Sequence, residues 1–345
     1  MKPKYIVSLY FSYVANSGGV IDFAENLTQG MLRLQPRQAV VLRPVAVAGE
    51  RIRRLLRFVA EFWVALRFWR TPAVALFPNY FFIPLPGGRL KSVVVVHDLM
   101  FKHYPQYVGR AKRLLLDVSY RLARRYADGV VFISQDSQRD FEKHYGVPRL
   151  HTYIYNPIVL PEDSADSQAL APAVSQPYVI ANFHFYPHKN LPRLLEVFGG
   201  LKKQWPELRL VFTGNRPPQF DALVAPLPFA NDIQHLGFLP KQQVMALVRH
   251  AAFFMSMSQF EGFNMSAAEA ALLGRPLVLS DIPVHRELFS ECATLVPLDE
   301  PSPDFKGIVD YVRNHEAKTP SFANDVTPEA VASKYMAFMD QLLKA

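Results

Sequence analysis

Cysteine is almost missing from this chain of 345 residues: Cys292 stands alone. That excludes a disulfide framework and any cysteine-rich zinc site. No D-x-D triplet occurs, and no His, Asp and Glu residues gather at metal-ligand spacing. The patterns G-x-S-x-G and G-x-x-x-x-G-K-[S/T] are absent, against a hydrolase nucleophile elbow and a P-loop NTPase. RNP, KH and zinc-finger patterns are missing as well, which disfavours nucleic acid as a partner. No apolar run approaches the roughly 18 residues of a membrane-crossing helix. Charge is sparse too: 20% of residues are charged against 50% hydrophobic, which excludes a disordered or solvating chain.

What is present is enough chain for two cores, at roughly 150 residues per domain. The formal charge of +8 is unevenly spread. Residues 1–155 carry 23 basic and 10 acidic side chains, a net of +13, whereas residues 156–345 carry 15 and 20, a net of −5. Only the first half is built to face an anionic partner. At the N-terminus, Lys2 and Lys4 precede an apolar stretch that superficially resembles a signal peptide. Ser8, Ser12 and three tyrosines interrupt it, and it leads into Gly18-Gly19 and a helical pattern. It reads as a first β-strand, so the cytoplasm is the expected compartment.

Short β-rich runs alternate with longer helical ones. Strands are expected at Tyr5–Phe11, Ala39–Leu42, Val74–Phe77, Val93–Val96, Val130–Ile133 and Thr152–Tyr155, with helices at Val20–Leu34, Arg51–Arg70, Arg110–Ala127 and Ser137–Tyr145. After a Pro-, Ser- and Ala-rich stretch the alternation resumes. Strands fall near Tyr178–Asn182, Leu208–Phe212, Ile233–Leu236, Ala252–Met255, Leu277–Leu279 and Thr294–Val296. The pattern predicts an α/β fold of two doubly wound parallel sheets. The expected division is residues 1–157, a linker over 158–177, a second domain over 178–326 and a last helix over 327–345. In such sheets ligands bind beyond the carboxyl ends of the strands.

The most informative segment runs from Ser256 to Glu287. Glu261-Gly262-Phe263-Asn264 turns the chain, and Ser266 to Leu273 has helical composition ended by Gly274. Ser266 is the expected N-cap, with Glu269 as its capping-box partner. A turn running into a helix suits an anion such as a diphosphate. Two carboxylates eight positions apart can address different parts of one ligand. Equally, Glu269 can be a plain cap and Glu261 a solvated side chain.

These residues resemble a known family. E-G-F with the E-x7-E spacing of Glu261 and Glu269, then G-x-P-L-V at Gly274–Val278, is similar to the retaining glycosyltransferases of family 4. Three other segments agree: His97-Asp98-Leu99; Phe132-Ile133-Ser134 with Ser137 and Asp140; and Pro187-His188-Lys189-Asn190-Leu191. The resemblance implies a GT-B fold of two facing Rossmann-like domains. It also implies transfer of a hexose from a nucleotide-sugar with retained configuration, and no metal or other cofactor. By the same resemblance Glu269 would hold the ribose and Glu261 the transferred sugar, beside the amides of Phe263, Asn264 and Met265. Lys189 would neutralise the leaving diphosphate, His97 would contact the sugar, and Ser134 and the Gly18-Gly19 pair would lie on the donor side. The plainer readings are a satisfied core histidine at His97 and an ordinary turn at Gly18-Gly19. The sequence departs from the family at His188, where arginine is usual, and at Asn182 and Asn264, where glycine is frequent. Imidazole lacks arginine's charge at neutral pH and its fork, whereas Asn tolerates the left-handed backbone a glycine turn needs.

A second conspicuous stretch is Gly49–Arg70. Arg53, Arg57 and Arg67 alternate there with aromatics that include Trp63 and Trp69. A basic helix carrying Trp suits the headgroups of an anionic membrane; a core helix with a solvated basic face is the plainer reading. With Lys112, Arg113, Arg121, Arg124 and Arg125, it suggests a peripheral enzyme at the inner face of the cytoplasmic membrane. The expected acceptor is a saccharide linked to a lipid diphosphate, in assembly of O-antigen, lipopolysaccharide or capsule. The H-D-L variant leans the donor toward GDP-mannose or a GDP-rhamnose type.

Overall fold

The computed structural model describes residues 4–8, 18–42, 63, 66–78, 88–161, 174, 177–183, 186–317 and 319–344. The chain divides into two compact units: residues 1–159 with 324–345, and residues 160–323. Most of the expected linker, and Arg51–Phe62 of the basic stretch, lie outside the described residues.

The first unit holds a parallel sheet in the order β2-β1-β3-β4-β5-β6. Its strands are β1 (Tyr5–Ser8), β2 (Ala39–Leu42), β3 (Val74–Phe77), β4 (Lys91–Val96), β5 (Gly129–Phe132) and β6 (His151–Tyr153). The central strands read VALF, KSVVVV and GVVF because helices cover both faces, so no polar alternation is needed. Those helices are α1 (Gly18–Leu34), α2 (Met100–His103), α3 (Arg110–Tyr126) and α4 (Gln135–Tyr145). Tyr120 of α3 and Phe141 of α4 sit edge to face over Phe132, closing one side of the core.

The second sheet is also parallel, in the order β12-β11-β10-β7-β8-β9. It comprises β7 (Tyr178–Phe183), β8 (Arg209–Gly214), β9 (Ile233–His235), β10 (Phe253–Ser256), β11 (Leu277–Ser280) and β12 (Ala293–Val296). The intervening helices are α5 (Leu191–Gln204), α6 (Phe220–Val224), α7 (Lys241–His250), α8 (Met265–Leu272), α9 (Pro283–Phe289) and α10 (Phe305–Arg313). The chain runs outward from β7 through β8 to β9, then returns to place β10 on the other side of β7. The loops after β7 and β10 therefore depart toward opposite faces, leaving a crevice between them at the carboxyl ends of those two strands.

The last helix, α11 (Pro328–Lys344), belongs to the first unit. It buries Val331, Tyr335, Phe338 and Met339, and its Asp340 takes an ion pair from Lys4 at 2.8 Å and the Tyr5 hydroxyl at 2.7 Å. Gly30 permits this packing, because a Cβ there would overlap the Pro328 carbonyl. Backbone cannot yield as a flexible side chain can. Gly30→Val is therefore expected to lower stability by about 2–3 kcal/mol, although valine is the better helix former. The urea midpoint checks this, and an unchanged midpoint would show that α11 moves freely.

Candidate functional site

The crevice residues of the second unit come from two turns. After β7, the turn Pro187–Lys189 leads to Asn190, which sits left-handed at φ 55° and starts α5. After β10, residues 257–264 form the second turn, ending at Asn264 with φ 65°. Among the described residues these two asparagines are the non-glycine positions at positive φ, so backbone strain is concentrated on the two turns. A backbone bond from the Gln259 amide to the His188 carbonyl, at 2.7 Å, ties them together.

Lys189 and Glu261 meet across that tie. The Lys189 Nζ donates to Glu261 Oε1 at 2.5 Å, and the Ser258 hydroxyl donates to the same oxygen at 2.7 Å. Burial pushes the Glu261 carboxyl upward, but the Lys189 charge and these hydrogen bonds outweigh it and hold the group below the usual carboxylate range. An ionised carboxylate with a cation beside it thus stands at the switch point of the sheet.

Glu269 lies within α8, 3% exposed, and pairs with Lys241 at the start of α7. It is no capping-box partner. Asn264 is the N-cap rather than Ser266: its left-handed backbone aims Oδ1 at the Ala267 amide, at 3.2 Å, and puts Ser266 one residue inside the helix. Met265 opens α8 and Phe263 is buried beneath the turn. Asn182 pairs with Thr213 in the β7–β8 register.

Several expected residues take structural positions. His188 is 1% exposed and stacks on Tyr186, and burial with the Lys189 charge takes its imidazole down to about 4. It is neutral at pH 7 and so brings no charge to the turn. His97 is the core histidine of the plainer reading. It is 4% exposed, its Nε2 bonds the Pro78 carbonyl at 2.8 Å, and Phe23 meets it edge-on. Burial lowers it to about 4 as well. Ser134 is fully buried as the N-cap of α4, accepting from the Ser137 amide at 3.0 Å. Gly18 and Gly19 form the first turn of α1, where a Cβ on Gly19 would meet nothing within 4 Å. Among the described residues, no packing constraint demands glycine at position 19.

Of the basic stretch, Trp63 is exposed and Arg67 lies over the Phe68 ring. Trp69 is partly buried against Gly88, whose missing side chain admits the indole. Arg53 and Arg57 lie outside the described residues. Among the described residues no three His, Cys, Asp or Glu side chains gather where one metal ion could be held, and no helix is long and apolar enough to cross a membrane.

Sequence reasoning missed Lys241, Ser258, Ser280 and His285. Lys241 left one signal, since a cation at a helix N-terminus opposes the macrodipole and calls for a partner such as Glu269.

Two parallel doubly wound sheets, with paired carboxylates and a lysine at the switch point of the second, define a GT-B glycosyltransferase architecture. Residues 18–160 match the family model "Glycosyltransferase Family 4" and residues 163–317 match "Glycosyl transferases group 1". The chain belongs to the family 4 glycosyltransferases. It is similar to the GDP-mannose:cellobiosyl-diphosphopolyprenol alpha-mannosyltransferase of Xanthomonas campestris, 28% identical over 63% of this chain and 57% of that one. It is also similar to the O-antigen chain mannosyltransferase RfbU of Salmonella typhimurium, 25% identical over 76% of this chain and 74% of that one. The chain spans about half the length of the first curated relatives it matches, 44% and 57%. Among solved structures, Anabaena Alr3699/HepE in complex with UDP and glucose superposes with a TM-score of 0.65, covering 99% of this chain and 98% of that one at 17% identity.

Lys189→Met tests the electrostatics of the site. In the wild type, the depressed Glu261 contributes stability above the ordinary carboxylate range, lost as pH falls through its folded value. Without Lys189, burial is left as the main influence and the carboxyl rises. The variant is expected to lose about 2–3 kcal/mol at neutral pH, with the gap narrowing as pH falls, first as the raised carboxyl of the variant takes its proton and then, below the usual carboxylate range, as the wild-type carboxyl does. Parallel pH profiles in urea unfolding would refute the pairing.

Proposed function

We propose that this chain transfers a hexose from a nucleotide-sugar, GDP-mannose in the leading case, with retained configuration and without a metal. The Lys189–Glu261 pair on the two switch-point turns is the observation that carries this reading. The GDP-mannose donors in the names of similar Xanthomonas proteins support the choice of donor. In the reaction, the bond from the anomeric carbon to phosphate breaks first, and the leaving diphosphate draws on Lys189 and the N-terminus of α8. As Lys189 turns to phosphate, Glu261 is released to accept from the sugar hydroxyls. The acceptor hydroxyl then bonds the oxocarbenium-like carbon on the same face, its proton passing to the departing phosphate. Glu269 takes the ribose hydroxyls, since a carboxylate has lone pairs to spare beside Lys241.

A thermal-shift panel of GDP, UDP, ADP and dTDP tests the donor. GDP is expected to raise the melting temperature most; a UDP preference would point to a UDP-sugar-dependent transferase of the same fold, and no shift would favour a catalytically silent peripheral membrane-binding protein. Glu261→Ala is expected to reduce turnover of GDP-mannose at least about a hundredfold, and unchanged turnover would remove Glu261 from the site.

The acceptor we propose is a saccharide on a lipid diphosphate at an anionic membrane. Its support lies on α3, which carries six Arg and Lys residues and a single acid, Asp117, itself paired with Lys102 and Arg121. Leu114, Leu115 and Val118 on this helix are exposed, Leu114 by 65%. Basic side chains flanking exposed leucines suit a headgroup layer. Co-sedimentation with vesicles is expected to require anionic lipid and to weaken in Leu114→Asp; binding indifferent to lipid charge would refute the membrane assignment.

A further inference from the structure

The Glu261–Asn264 turn is braced from behind by a polar chain buried at the start of α9. His285 is fully buried, its Nδ1 2.8 Å from the Ser280 carbonyl and its Nε2 2.9 Å from the Asn264 amide nitrogen. Asn264 in turn accepts from the Ala267 amide at 3.2 Å. Both ends of this chain are backbone groups of fixed polarity. The Ser280 carbonyl can only accept, so His285 carries its proton on Nδ1. The Ala267 amide can only donate, so Asn264 presents Oδ1 to it and NH2 to the imidazole. Each orientation enforces the other, and only a neutral Nδ1–H imidazole completes the run.

The same corner holds the other end of the turn. The Ser280 hydroxyl donates to the Ser258 carbonyl at 2.5 Å, and the Ser258 hydroxyl donates to Glu261. A second proton on His285 would set Nε2–H against the Asn264 NH2. Rotating the amide to relieve that clash would set NH2 against the Ala267 amide. The surroundings discourage that proton. Burial holds the imidazole down to about 4; Glu261 and Asp281 pull upward and Lys189 downward among the charges that act on it.

We propose that His285 is a positioning residue for the donor site, its imidazole fixing the left-handed Asn264 cap and, through it, the turn that carries Glu261. The donor part of this inference rests on the function proposed above; the relay itself does not. Asn264 stands where the family frequently has glycine, so this chain replaces backbone freedom at the turn with a side-chain lock.

Amide hydrogen exchange in the ligand-free protein, together with GDP affinity, tests it in His285→Ala, His285→Gln, Asn264→Gly and the Asn264→Gly/His285→Ala double variant. His285→Ala is expected to speed Ala267 exchange and weaken GDP about tenfold each, the loss of one buried hydrogen bond. His285→Gln can still accept from the Asn264 amide and is expected to restore most of both. In the Asn264→Gly background, where the relay is already cut, His285→Ala is expected to change neither further. The inference is overturned if Ala and Gln variants behave alike, if effects add in the double variant, or if exchange changes while GDP affinity does not. Should GDP fail to bind the wild type, the donor reading falls separately, and Ala267 exchange still decides the relay.

Discussion

A carboxylate taken out of water has to be compensated, and the second unit is organised around that requirement at Glu261. Its side chain is about a tenth exposed, so solvent contributes little. Lys189 supplies the opposite charge and Ser258 a further donor, and both must arrive from separate stretches of chain. The order of the second sheet makes that meeting possible, because β7 and β10 are neighbours in space though 70 residues apart in sequence. Each strand delivers its partner through a short turn, and each turn is closed by an asparagine in a conformation other side chains avoid. The strain is local and the ion pair is the gain it secures.

Around this pair the charged and neutral groups are sorted by environment. His188 and His285 are both buried and lowered to about 4, so neither competes as a cation near pH 7. Lys189 on one turn and Lys241 at the start of α7 are each already matched to a carboxylate. A negatively charged ligand entering here meets lysines that can change partners, whereas an arginine fork would bind more rigidly. Donor binding would then exchange one ion pair for another rather than create an isolated charge.

The strands were legible in the sequence because a parallel sheet covered on both faces needs no polar alternation; VVVV at Val93–Val96 has no other comfortable place. The two-sheet fold followed from their alternation with helices. At the site, the family resemblance singled out Glu261, Glu269 and Lys189, and two of these, Lys189 and Glu261, meet across the two turns. The helix cap was misread, because a local rule competed with tertiary geometry. Ser266 with Glu269 satisfies the capping-box spacing, yet a left-handed Asn264 takes the cap and Lys241 takes the carboxylate. His97 and Ser134 sit at strand ends, as site residues do, but strand ends also need buried polar groups to finish their hydrogen bonding. The His285 relay left no signal in spacing, because its logic lies in the polarity of two backbone groups brought together only by folding.

The membership of α11 in the first unit governs the order in which the chain can be made. As it leaves the ribosome, the first unit has its sheet but lacks the helix that covers α1, so Phe23 is without Tyr335, its ring partner. The whole second unit must be synthesised before that partner appears, a delay of roughly ten to thirty seconds at ordinary translation rates. For that interval the nascent chain carries an apolar seam that invites chaperones or neighbouring chains. A ribosome that stops short of Pro328 would therefore leave its damage in the first unit, whose sheet was synthesised long before.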